Sequence, residues 1–266
     1  MTLSSDYLQC RRVVRQQSRI LSAALAGLPN QQRQGLHALF AFSFSAVSLP
    51  EQEFSAFNQG NTPDRFPWRA LRDTLDKFSI RGNEQLEQIF SGSKQHYQVK
   101  QYQTMEQLLA AFDNVAGASA ELAWHIVSPF PERFLAPLRL ALGRAVLLTD
   151  SLHNVSLYLS EKRIPFPQEI MEHHGYTHRM LEQRRTNEAF VSMWEDMATL
   201  AEDYYTAARP LAKHLHPRAK FPLLAAAVLY RELLLETRRA SYQVFNRPVY
   251  LPLLTRFRAL SQLQIN

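Results

Sequence analysis

The chain has 266 residues, of which 46% are hydrophobic and 20% charged, a composition that excludes a disordered or low-complexity chain and supplies a sizeable core. With 30 Lys and Arg against 24 Asp and Glu the net charge is +6, and no long basic tract marks a nucleic-acid partner. Cys10 is the only cysteine, so no internal disulfide forms, and the charged N-terminus MTLSSDYLQCRRVVRQQSR has no apolar signal core; both fit a cytoplasmic protein.

Apolar residues recur at the helical period along nearly the whole chain, and glycine is scarce at 8 residues. Ser4 or Ser5 is expected to cap a first helix that reaches Ala26 and stops at Pro29. Asn30 is expected to cap a second, through GLHALFAFSFSAV to Pro50. Residues 58–67, NQGNTPDRFP, read as a loop. Helices follow over Trp68–Phe78 and Glu84–Tyr97. Thr104 with Gln107 forms a capping box opening a helix that ends before Pro129. Pro131 suits the first turn of a helix to about Ser160. Long helices are predicted over Thr177–His214 and Pro217–Val244, and a last one over Pro248–Leu263. There is no internal repeat, no Gly/Ser linker and no alternating strand pattern, so residues 1–266 read as one all-α domain. The longest stretch free of charged residues, Gln34–Pro50, is short and polar for a membrane span.

Several short stretches carry more information than the helix pattern. They are SR (18–19), LPNQQR (28–33), ALFAF (38–42), NVAG (114–117), LGRAVLLTDSLHNV (142–155), KRIPFP (162–167) and ETRRASYQV (236–244). In order and spacing they resemble the squalene/phytoene synthase family of head-to-head prenyltransferases. That resemblance implies an isoprenoid-synthase-type helical bundle around a central apolar cavity. It also implies two facing Asp-rich motifs holding Mg²⁺ on a prenyl diphosphate, because a departing pyrophosphate needs its charge neutralised by a cation on oxygen ligands.

This sequence departs from the family at both motifs. Where the first has an arginine and then carboxylates, the chain has Phe44, Val47, Ser48, Leu49 and Pro50, and only Glu51 is acidic. Where the second has Gln, Asn and then an acidic run, it has Leu147, Asp150, His153, Asn154, Leu157 and Tyr158. The tyrosines that precede VAG in many members are replaced by Ala111 and Asp113. The expectation is therefore no Mg²⁺ and no other metal or cofactor.

Other family positions are retained. Ser18, Arg19 and Tyr242 match diphosphate contacts, Arg163 matches the arginine beyond the second motif, and Arg15 lies one helical turn before Arg19. Arginines with hydroxyl donors can hold a diphosphate without metal. Phe40, Phe44, Val47, Leu147, Asp150 and Asn154 are the expected cavity lining. Phe44 places an apolar ring where an arginine otherwise meets phosphate.

Three functions stay open: a binder of a prenyl diphosphate or apolar isoprenoid that has lost Mg²⁺-dependent synthase chemistry; a prenyl diphosphate hydrolase or transferase with altered chemistry; and an assembly or scaffold protein with a protein partner. Nucleic acid is not expected. No transmembrane segment is expected, though contact with a membrane surface is compatible with the sequence. Among the histidines, His174 and His178 have metal-ligand spacing but flank Gly175, and a surface or capping role is expected. Asp150 and His153 are read as a helix-surface pair.

Overall fold

The structure, a computed structural model, describes residues 2–128, 136–211, 217–246 and 249–265. No strand forms among them. The chain starts with α1 (Leu3–Gln17), capped by Thr2, whose hydroxyl accepts from the Ser5 amide, so the cap lies before either predicted serine. The predicted single helix to Ala26 breaks at Ser18. That residue is extended (φ −144°), and its hydroxyl accepts from the Leu21 amide to start α2 (Arg19–Ala24). A serine that can bond backbone locally gives the chain an alternative to continuing the helix.

Next comes α3 (Asn30–Ser45), in which Asn30 is the first helical residue and Pro29 the residue before it, rather than Asn30 being the cap. A single 3-10 turn, Ala46–Ser48, follows, and beyond Pro50 the chain begins α4 (Glu51–Asn58). The helices α5 (Trp68–Lys77) and α6 (Asn83–Gln98) lie within a residue or so of prediction. In α7 (Met105–Phe112) the Thr104 hydroxyl accepts from the Gln107 amide at 3.2 Å, while the Gln107 side chain accepts from the Gln103 amide at 3.1 Å. The NVAG stretch falls in a π-helical turn, Asp113–Gly117, before α8 (Ala118–Val127).

The Pro131 start lies outside the described residues. Within them, the predicted helix to Ser160 is α9 (Ala136–His153) and α10 (Val155–Ser160), interrupted at Asn154. An unpredicted α11 (Gln168–His173) precedes α12 (His178–Glu182), which Thr177 caps. Then α13 (Glu188–Leu211) and α14 (Pro217–Arg239) run long, and α15 (Leu253–Ile265) closes the described chain. At Ser241 and Tyr242 the backbone turns left-handed (φ 52° and 57°), which ends α14 before the predicted Val244.

The chain divides into two compact units. The first comprises Met1–Tyr97, Asn114–Leu135 and His214–Ala226. In it α1 packs on α3 and α5, and α3 packs on α5 and α8. Ala38, Ala41 and Ala70 are wholly buried with Tyr7, Cys10 and Val14; small side chains at these crossings let helix backbones approach closely. The buried Asp6 of α1 accepts from Arg69 of α5 at 2.6 and 3.0 Å. Phe42, Phe54, Phe90 and Trp68 form an aromatic cluster in the core, with Phe54 and Phe90 stacked 4.1 Å apart. Each such ring contributes roughly 1.5–3 kcal/mol of burial.

The second unit comprises Gln98–Asp113, Ala136–Lys213 and Ala227–Asn266. It is built on α9 running against α13, with α7 against α9. Phe166, Tyr176, Phe190 and Phe245 pack around one another beside this pair. No helix among the described residues is long and apolar enough to cross a membrane.

Candidate functional site

In the first unit the candidate residues lie on α1 to α3 and the turn that follows. Arg15 and Arg19 are both exposed. Because α1 ends at Gln17 and α2 begins at Arg19, the unbroken helical spacing expected to align them does not exist. Ser18 is half-buried, and its hydroxyl serves as the α2 cap. Phe40 packs against the Tyr7–Cys10–Val14 cluster, whereas Phe44, one turn on, is 40% exposed. Val47 is half-buried within the 3-10 turn and Ser48 is exposed; the Ser48 hydroxyl donates to the Ser45 carbonyl at 2.9 Å. Glu51, the one carboxylate, is exposed, and its nearest cation is Lys94 at 3.8 Å.

In the second unit a polar group gathers on α9 and α10. Asn154 donates through its side-chain amide to the Asp150 carboxylate at 2.9 Å. Burial pushes the Asp150 carboxyl up to about 6, against the smaller opposing effect of the Asn154 hydrogen bond. Burial also holds the His153 ring neutral, bringing it down to about 4, and its Nδ1 is buried without a hydrogen-bond partner. The expected Asp150–His153 surface pair is therefore replaced by an Asp150–Asn154 pair beside a half-buried neutral imidazole. Tyr158 lies 3.4 Å from the Ser151 hydroxyl, with the Arg163 guanidinium 4.8 Å above its ring. Burial, first, and the Asp150 charge push the Tyr158 phenol up to about 12. Arg163 is buried and donates to the Val99 carbonyl. Leu147, half-buried, lies one turn before Asp150 on α9.

Tyr242 is held elsewhere in the same unit. Its hydroxyl donates to Glu195 at 2.7 Å, and its ring meets Trp194 edge-on at 5.3 Å. Arg238 donates to both Glu195 and Glu202 on α13 and lies 5.6 Å from the Trp194 ring. Burial works to raise the Glu195 carboxyl, but the hydrogen bonds from Arg238 and Tyr242 outweigh it and hold it below the ordinary range. Sequence reasoning missed this group because Glu195 lies 47 residues from Tyr242. It likewise missed that Arg144, in the LGRA stretch, grips Asp113, just before VAG, with two hydrogen bonds and donates to Tyr204 at 3.0 Å. The charge signs of Asp113 and Arg144 were readable, but their meeting was not.

A Mg²⁺ cluster needs several oxygen ligands in near-octahedral array. Positions 47 to 50 offer an apolar side chain, a hydroxyl, a second apolar side chain and a proline; positions 154, 157 and 158 offer an amide, an apolar side chain and a phenol. Glu51 faces Lys94, and Asp150 holds its proton unusually tightly. This donor set does not fit such a cluster.

A model of the squalene/phytoene synthase family matches residues 14–255. The chain is 25% identical to the farnesyl diphosphate phosphatase YisP of Bacillus subtilis (strain 168), over 91% of this chain and 92% of that protein. It is 23% identical to a phytoene synthase of Arthrospira platensis, over 94% and 90% of the two chains. Among solved structures, a dehydrosqualene synthase in complex with ligand superposes with a TM-score of 0.88, covering 99% of this chain and 96% of that one at 23% identity. The structure of YisP superposes at 0.81, covering 97% and 96%. These likenesses bear out the all-α fold of this type.

Proposed function

Since the chain belongs to the squalene/phytoene synthase family, we propose that it binds a prenyl diphosphate but does not join two of them by Mg²⁺-dependent head-to-head chemistry. The observation that carries this reading is the donor set at the two former motifs, where one exposed glutamate and one aspartate with a burial-raised carboxyl stand in place of two carboxylate clusters. With no metal to neutralise it, the diphosphate depends on protein donors. Arg15 and Arg19 are exposed cations on neighbouring helices, and each charge-assisted bond from them contributes roughly 1.5–3 kcal/mol. Arg163 and Tyr242 bond within the second unit, to the Val99 carbonyl and to Glu195. The apolar chain of the ligand is matched by side chains such as Phe44, which leaves a ring exposed where the family places an arginine.

The experiment is a binding comparison. Arg19→Ala should weaken binding of a prenyl diphosphate by about tenfold to a hundredfold, the equivalent of roughly 1.4–2.8 kcal/mol, and leave a neutral prenyl alcohol nearly unaffected. Equal losses for both would reduce Arg19 to a packing role and remove the anion site. In the same titration Mg²⁺ should add less than about tenfold to the affinity for a non-hydrolysable prenyl thiodiphosphate; a larger gain defeats the metal-free reading.

A second reading, hydrolysis of a prenyl diphosphate to its alcohol, is favoured by Asp150. A carboxyl near 6 keeps part of its population protonated at neutral pH, as a general acid must. The relative named as a farnesyl diphosphate phosphatase adds support. Release of prenyl alcohol in the presence of a chelator, lost in Asp150→Asn, would establish it; no release from the parent protein removes it.

A further inference from the structure

A second cluster includes His174, for which the sequence suggested a surface or capping role, and is independent of the prenyl reading. It forms where α11 ends against α13. The end of α11 is fixed by a Schellman motif: Tyr176 donates its amide to the Met171 carbonyl at 2.8 Å and Gly175 to Glu172 at 3.0 Å. Gly175 takes the left-handed conformation this requires (φ 62°), and buried Tyr176 anchors the turn by donating its hydroxyl to the Arg185 carbonyl at 2.8 Å. This geometry leaves two successive histidines, His173 and His174, at the helix end. Their rings are perpendicular, with centroids 4.9 Å apart, so they meet edge to face instead of stacking. Asp196, on α13, comes within 2.7 Å of His174 Nε2. One ligand atom from each of His173, His174 and Asp196 lies within 4.8 Å of the others. His178, the partner suggested by i, i+4 spacing, instead points its Nε2 at Gln101, 2.8 Å away.

We infer that His173, His174 and Asp196 form a binding site for a borderline divalent transition-metal ion of the zinc class. Two imidazole nitrogens and one carboxylate oxygen suit zinc and its neighbours and do not suit magnesium, which prefers oxygen ligands only. Donors of a tetrahedral site lie roughly 3.3–3.4 Å apart. The His174–Asp196 pair therefore needs to open by less than an ångström, which the exposed Asp196 side chain can supply by rotation. His173 is exposed and free to swing its ring toward the same point. Water would complete the coordination, since the described residues supply three ligands. The bound ion would tie the end of α11 to α13 within the second unit.

The test uses the full chain without an affinity tag, freed of metal by a chelator that is then removed. Titration with Zn²⁺ should show one ion bound per chain, and Co²⁺ in its place should give visible absorption of a low-coordinate site. His174→Ala and Asp196→Asn should each weaken Zn²⁺ binding by at least about tenfold, and His173→Gln, an exposed and fold-neutral change, should do the same. His178→Ala should titrate like the parent, and Mg²⁺ in excess should not displace Zn²⁺. Absence of stoichiometric Zn²⁺ binding would overturn the proposal. So would parent-like affinity in His173→Gln, equal loss in His178→Ala, or displacement by Mg²⁺. Circular dichroism on each variant separates loss of the ion from loss of the helices.

Discussion

The stretches 44–51 and 147–158, which the proposed function sets at the family's two acidic motifs, are both poor in carboxylates but differ in structure. In the first, the side chains are apolar or small and the helix is interrupted. The helix stops at Ser45, a 3-10 turn and Pro50 follow, and Phe44, Ser48 and Glu51 face solvent. In the second, the helical path is nearly kept, and polar residues turn toward one another: Asn154 toward Asp150, and Tyr158 toward Ser151. The first is an exposed turn closed by a proline, while the second is a partly buried hydrogen-bonded group beside the unpartnered His153 Nδ1. A neutral replacement that is exposed costs little to alter; one that is buried and bonded is coupled to the stability of its unit.

Returning a carboxylate to each stretch tests this contrast most strongly. Tyr158→Asp would bring a charge close to Asp150 and remove the ring beneath Arg163, so urea unfolding should show a loss of about 2–4 kcal/mol. Ser48→Asp, on an exposed turn, should stay within about 0.5 kcal/mol. Similar costs at the two sites would erase the distinction.

A pH series sharpens it further. Asp150 titrates near 6 in the folded chain and near 3.9 unfolded, so its cost is absent below pH 4 and complete above pH 6. His153 titrates near 4 folded and near 6.5 unfolded; its cost is absent above pH 6.5 and grows as the pH falls toward 4. Between pH 4 and 6 the two slopes oppose each other. Asp150→Asn should therefore stabilise the protein by roughly 1–3 kcal/mol at pH 8, do nothing below pH 4, and uncover a steeper loss of stability in acid. A variant whose stability matches the parent at pH 8 would mean that the Asp150 carboxyl is not raised. The smallest effect belongs to Phe44→Arg. On an exposed position it should change stability by less than about 0.5 kcal/mol while raising prenyl diphosphate affinity severalfold. Unchanged affinity would separate position 44 from the ligand.

Much of the helical content was legible because apolar residues at a 3.6 period report which face is buried. Trp68–Lys77 and Asn83–Gln98 emerged almost as read. The same signal does not report continuity. Ser18 and Asn154 interrupt helices whose apolar period runs on past them. At Ser18 the side chain bonds a nearby amide and offers the backbone another path. The short α11 was hidden between prolines and a glycine, with too few residues to show a period. At the candidate site, the Asp150–Asn154 contact follows from i, i+4 spacing. The burial of Arg163 and the partial burial of His153 do not, since burial depends on what the rest of the unit brings over them. Nor does the pairing of Tyr242 with Glu195, set by a long-range contact between the turn after α14 and α13.

Arg238 has one further consequence. Its guanidinium grips Glu195 and Glu202, two turns apart on α13, from the penultimate residue of α14. A helix terminus ordinarily frays on a fast timescale, and its amides exchange with solvent hydrogen early. Here the last turn of α14 can open only when both ion pairs part and the Arg238 side chain leaves the Trp194 ring. The amides of residues 234–239 should therefore exchange with deuterium as slowly as those in the middle of α13, making the end of this helix one of the slower clocks in its unit.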